Sequence, residues 1–100
     1  MQRKISEILH KTEILAQLAE KASELAQAAL KLRRALDGTN PTPKSVEKCE
    51  NALIEKYADV IGCISALNCS PEWYEDATAM IGAKRTRWLS SLEAKEQSNE

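Results

Sequence analysis

Two short clusters of charge sit inside otherwise apolar stretches. Glu20, Lys21 and Glu24 are flanked by Leu18, Ala22 and Leu25, and Glu55, Lys56 and Asp59 lie among Leu53, Ile54, Tyr57, Val60 and Ile61. Lysine and aspartate are rarely buried unless they are paired or functional. On a helix, positions 21 and 24 share a face, as do 56 and 59, because each pair is three residues apart. If both segments are helices packed antiparallel, the two faces meet. The plain outcome is a pair of intrahelical ion pairs, Lys21–Glu24 and Lys56–Asp59, each worth about 0.2–0.5 kcal/mol. In both the base leads the acid, the less favoured order against the helix dipole. The other chemistry is metal binding, since carboxylates on facing helices of a bundle supply the oxygen ligands that suit Mg²⁺.

The elements that must hold these clusters are helical. From Thr12 to Leu36, the residues Leu15, Leu18, Ala22, Leu25, Ala29, Leu32 and Leu36 recur at spacings of three and four, which predicts one stripe of an α-helix. Thr12 suits its N-cap, Glu13 its positive end, Lys31, Arg33 and Arg34 its last turns, and Gly38 a left-handed C-terminal residue. Ile5, Ile8 and Leu9 suggest a short amphipathic helix before it, ending near His10, which reads as a surface residue. Residues 37–44 form a loop, because Pro41 and Pro43 disfavour helix in the residues before them. Ser45 caps a second helix, Val46 to Asn68, with the stripe Val46, Cys49, Leu53, Lys56, Val60, Cys63 and Leu67 and an apolar flank of Ile54, Tyr57, Ile61 and Ile64. Lys48 stands where the capping-box pattern has an acid. Ser70-Pro71-Glu72 opens a third helix, with Trp73, Ala77, Met80, Ile81, Lys84, Trp88 and Leu92 at helical spacing. The expected architecture is all-α, a helical hairpin plus a third helix in an oligomeric bundle. It forms one domain over residues 1–95, followed by a frayed tail at 96–100.

Composition narrows the function classes. The chain has 100 residues, 14 Lys+Arg, 15 Asp+Glu and one His, for a formal net charge of −1. That balance argues against a nucleic-acid binder, which carries a basic stripe. No run of 18 apolar residues exists and the first residues lack a signal-peptide apolar core, so no membrane role and a cytoplasmic location are expected. Cys49, Cys63 and Cys69 lack metal-ligand spacing and read as reduced thiols, with no zinc site. A chain of this size buries a modest core, so oligomerisation is an expected supplement.

Over residues 12 to 90 the sequence resembles the MazG-like nucleoside triphosphate pyrophosphohydrolases, all-α enzymes related to dimeric dUTPases, and in particular their short phage-type members. The family motif is E-E-x-x-E, a spacer, then E-x-x-D. It aligns with Glu20-Lys21-Ala-Ser-Glu24 inside the run from Gln17 to Arg34, and with Glu55-Lys56-Tyr-Ala-Asp59-Val60. The loop Gly38-Thr-Asn-Pro-Thr-Pro43 and the pair Lys84-x-x-Arg87 also resemble family features. The resemblance implies Mg²⁺-dependent hydrolysis of a nucleoside triphosphate to the monophosphate and pyrophosphate, in a homodimer or homotetramer. It places metal ligands at positions 21, 24, 56 and 59 and phosphate contacts at Lys84 and Arg87. Trp73, Tyr74 and Trp88 become candidates for stacking on a base, although each also fits a core or dimer contact.

This chain departs from that pattern at two of the four ligand positions. It keeps Glu24 and Asp59 and carries Lys21 and Lys56 at the others. Glu20 and Glu55 remain as candidate catalytic carboxylates, each turned about 100° from the adjoining ligand position. Four carboxylates about 5 Å apart repel by roughly 3 kcal/mol per pair at an effective dielectric of 20, and a divalent ion relieves that repulsion. Two lysines and two acids neutralise one another without metal. The expectation is therefore an impaired metal centre with weak Mg²⁺ binding. The alternatives are a non-catalytic nucleotide-binding relative, in which Lys21 and Lys56 contact phosphate directly, and a helical interaction module.

Overall fold

The computed structural model describes residues 3–39 and 45–99. Among them the structure is all-α: a 3-10 turn, Ile5–Glu7, precedes α1 (Lys11–Asp37), α2 (Val46–Ala66) and α3 (Pro71–Ser98). No strand occurs among the described residues. The chain divides into two compact units, Met1–Asn68 and Cys69–Glu100.

Local chemistry sets the helix ends of the first unit. α1 begins two residues earlier than a Thr12 cap implies, and His10 rather than Thr12 is its cap. The ring Nδ1 of His10 accepts from the Thr12 N–H at 3.2 Å, which satisfies an orphan donor as a serine or aspartate does elsewhere. Gly38 closes α1 as expected, at φ 68°, with its N–H on the Arg34 carbonyl at 2.9 Å. The expected N-terminal helix is only a single 3-10 turn, in which Glu7 accepts from the Lys4 N–H at 3.3 Å. Asp37, expected in the loop, is instead the last residue of α1, and its carboxylate accepts from the Thr39 hydroxyl at 2.6 Å and the Thr39 N–H at 2.9 Å. Pro41 and Pro43 lie outside the described residues. Ser45 caps α2 by accepting from the Lys48 N–H at 3.2 Å. The reciprocal half of the capping box is missing, because a lysine at position 48 has no acceptor to return. α2 ends at Ala66, two residues short of expectation. Asn68, at φ 55°, turns its side-chain amide to donate to the Ser6 hydroxyl at 2.6 Å.

α1 and α2 pack as an antiparallel hairpin. The N-terminal half of α1 lies beside the C-terminal half of α2, so Ile14, Gln17 and Lys21 share a cavity with Asp59, Cys63 and Ala66. Ile14, Ala28 and Cys49 are buried. The row of α1 that packs is Ile14, Leu18, Lys21, Leu25, Ala28, Leu32 and Ala35, all buried or half-buried. The expected row shares Leu18, Leu25 and Leu32 with it but places Leu15, Ala22, Ala29 and Leu36 inward, and these four are exposed. Two rows flank the same leucines at spacings of three and four, and the hairpin uses the one that contains Lys21. On α2 the seam follows the expected stripe from Cys49 through Leu53, Lys56, Val60 and Cys63 to Leu67, with Val46 exposed at its start. The Ile54, Tyr57 and Ile61 flank faces outward.

In the second unit, the Ser70 hydroxyl accepts from the Trp73 N–H at 3.2 Å and Pro71 opens α3, as the sequence indicates. The helix continues to Ser98, three residues into the polar C-terminal stretch. None of its residues is buried. Trp73 and Tyr74 meet edge to face, with ring centroids 5.0 Å apart. No helix among the described residues is long and apolar enough to cross a membrane. All three cysteines are free.

Candidate functional site

The seam positions one compact charge cluster at mid-hairpin. Lys21 and Glu24, one turn apart on α1, and Lys56 on α2 all point into the contact between the helices. The Lys21 ammonium lies 3.6 Å from Glu24 Oε2, and the Lys56 ammonium lies 3.4 Å from the same oxygen. The three side chains are each about one-third exposed, while that oxygen itself is buried. It makes no hydrogen bond. The contacts are therefore charge pairs at ion-pair distance, without the geometry of a charge-assisted hydrogen bond. One carboxylate here neutralises half of two facing ammoniums.

This differs from the pairing that spacing alone suggests. Lys21–Glu24 forms as expected. Lys56 turns away from Asp59, three residues on in its own helix, and crosses to Glu24 instead. An acid on α1 that already faces the seam is available to both lysines, and the less favoured Lys-before-Asp order on α2 gives Lys56 little reason to stay. Asp59 is half-buried and lines a cavity of about 310 Å³ with Lys21, Gln17, Gly62 and Cys63. A second cavity, of about 360 Å³, opens on the other side of Glu24 and Lys56. Its wall includes Gln27, Lys31, Cys49 and Glu55.

All four predicted ligand positions, 21, 24, 56 and 59, thus face the hairpin seam. The two candidate catalytic acids do not join them equally. Glu55 is exposed at the rim of the second cavity, and Glu20 is exposed and lines neither cavity. Lys84, Arg87, Trp73 and Trp88 belong to α3, where all are exposed. A larger cavity, about 530 Å³, runs along α3 past Gly82, Arg85, Trp88 and Leu92, with Arg85 as its charged group. Lys31 was not singled out from the sequence, where it reads as a helix C-terminal cation. Its place on a cavity wall depends on the choice of row in α1.

The donor set does not fit a divalent cation. Two of the four seam positions carry ammoniums that already occupy the reach of Glu24, and an ammonium repels a metal ion. Among the described residues no group of three or more His, Cys, Asp or Glu side chains converges on one point. No protein-family profile, curated protein or solved structure matches the chain.

Proposed function

We propose that this chain is a MazG-like helical protein in which an internal ion-pair cluster has replaced the metal-dependent pyrophosphohydrolase centre, and that it works as a homo-oligomer without hydrolysing nucleotides. The carrying observation is that Lys21 and Lys56 converge on one Glu24 oxygen, at seam positions where the resemblance calls for carboxylates. In the enzymes it resembles, a bound divalent ion supplies the activation of water and of the phosphate oxygens. The residues present here supply positive charge at that place, so Mg²⁺ drops out of the reading. The homo-oligomer is supported by Ile54, Tyr57 and Ile61, an apolar flank that the hairpin leaves exposed.

A second reading keeps a nucleoside triphosphate as ligand. Lys31 and Lys56 line one cavity and Lys21 the next, so ammoniums are within reach of a phosphate chain without metal. Glu24 and Glu55 on the same wall oppose it, which ranks this reading below the first.

Pyrophosphate release, nucleotide binding and thermal stability, each measured with and without Mg²⁺, test both. The wild-type chain is expected to release no pyrophosphate from any common nucleotide. The double variant Lys21→Glu/Lys56→Glu is expected to melt lower than wild type, because its acids repel by roughly 3 kcal/mol per pair at 5 Å. Mg²⁺ should then raise its melting temperature and start pyrophosphate release. Mg²⁺-dependent turnover by the wild type sinks the replaced-centre reading. A folded double variant that neither responds to Mg²⁺ nor turns over sinks the MazG-like assignment. Metal-independent nucleotide binding by the wild type selects the second reading.

A further inference from the structure

α3 is 28 residues long, about 42 Å, and buries none of them. Trp73, Met80, Ile81 and Trp88 are 45, 61, 57 and 68% exposed. With Ala77 and Lys84 they form one stripe on a helix of 3.6 residues per turn. An isolated helix is marginal in water, and a stripe with two indoles needs a cover.

The charges beside that stripe indicate what the cover is. Glu72 and Asp76 lie one turn apart on one border, and Arg87 lies further along the same border. Lys84 sits within the stripe itself. Each block is internally like-charged, which destabilises a lone helix. The acids at least suit the positive end of the helix dipole, whereas a basic block at mid-helix has no such reason. Asp76 and Lys84 are eight residues apart, about 12 Å of rise, and cannot pair within the helix. Among the described residues no ion pair engages any of the four.

We infer that α3 pairs antiparallel with α3 of a second copy of this chain, the acids Glu72 and Asp76 of each set against Lys84 and Arg87 of the other. A parallel pair gathers the acids of both copies at one end and the bases at the other, so neither block meets its opposite. An antiparallel pair overlapped along its full length sets Glu72 and Asp76 against Glu93 and Glu96. Only the offset register satisfies both blocks twice, as a two-fold axis requires. In that register Met80 and Ile81 meet at the axis and each Trp73 lies opposite the other copy's Trp88. The helices overlap over about residues 71–90, and the stretch bearing Glu93 and Glu96 projects beyond. Fully covered, Trp73, Met80, Ile81 and Trp88 supply roughly 500 Å² per copy, about the 1,000 Å² total of the smallest specific interfaces. The dimer is therefore concentration-dependent, and its charged border makes it salt-sensitive.

This pairing specifies the oligomer proposed above and rests on that part of the reading. Sedimentation of the full chain at several protein and salt concentrations tests it, with two charge-reversed variants. Wild type is expected to dimerise with a dissociation constant that rises several-fold from low to high salt. Glu72→Lys/Asp76→Lys alone and Lys84→Glu/Arg87→Glu alone are expected to be monomeric. An equimolar mixture of the two should recover a heterodimer, which shows that both variants still fold. A dimer that persists in both variants overturns the α3 pairing and leaves the oligomer standing. Failure of the mixture to associate also overturns the pairing. Wild type that stays monomeric at every concentration removes the oligomer as well.

Discussion

α1 and α3 are nearly equal in length, 27 and 28 residues, yet they handle charge in opposite ways. α1 carries Lys21 and Glu24 into its seam with α2 and buries a carboxylate oxygen there. α3 keeps its apolar stripe mostly free of charge, with acids and an arginine gathered along one border. The first arrangement needs a partner inside the same unit, since two ammoniums at one carboxylate are tolerable only when both helices are in place. The second arrangement leaves both apolar and charged groups open. Helix length thus says little about how a helix carries its charge; the placement of charge relative to the stripe does.

The largest expected effect separates the two helices directly. Ile14→Ala empties a buried position and should cost about 3 kcal/mol in chemical unfolding, whereas Ile81→Ala should cost under about 0.5 kcal/mol where the chain is monomeric. Equal costs would erase the contrast.

Next is the cluster. Glu24→Ala leaves two ammoniums facing each other and should cost about 1–2 kcal/mol, partly recovered at high salt. Glu20→Ala, one turn away and exposed, should stay within about 0.5 kcal/mol. If both variants unfold alike, the seam cluster does not stabilise the hairpin.

The smallest effect is at the end of α1. The Thr39 hydroxyl and then the Thr39 N–H hold the Asp37 carboxyl below its ordinary value of 3.8, with a lesser contribution from Arg33 and Arg34. A carboxyl lowered in this way contributes stability above its unfolded value, and the contribution fades as pH falls through the lower folded value. Asp37→Asn should therefore lower the melting temperature slightly near neutrality and remove part of its fall below about pH 3.8, so that the two profiles converge in acid. An unchanged acid limb would show that the Thr39 contacts do not outlast solvent competition.

The readable parts of the fold were those set by neighbouring residues. Ser45, Gly38, Ser70 and Pro71 act at helix ends through groups two to four positions away, so the sequence names them. The packed row of α1 was not readable, because Leu18, Leu25 and Leu32 belong equally to two rows and only the facing helix chooses. The cap of α1 is hidden in the sequence for a related reason. Histidine is seldom considered a cap, and Thr12 stands where a conventional one would. In the site, spacing brought positions 21, 24, 56 and 59 to one seam, but it paired Lys56 within its own helix. The cross-helix contact to Glu24 depends on register, which periodicity does not contain.

The hydrogen bond from Asn68 to Ser6 joins residues 62 positions apart in the chain. With the 38–45 connection at the other end, it turns the first unit from an open hairpin into a ring of polypeptide closed once by covalent bonds and once by a side-chain clasp. Topologically the ring has no preferred starting point. A permuted chain that begins at Ser45 and runs through a short linker from Asn68 back to the N-terminal turn would trace the same path, with the clasp made permanent and the 38–45 connection opened in its place.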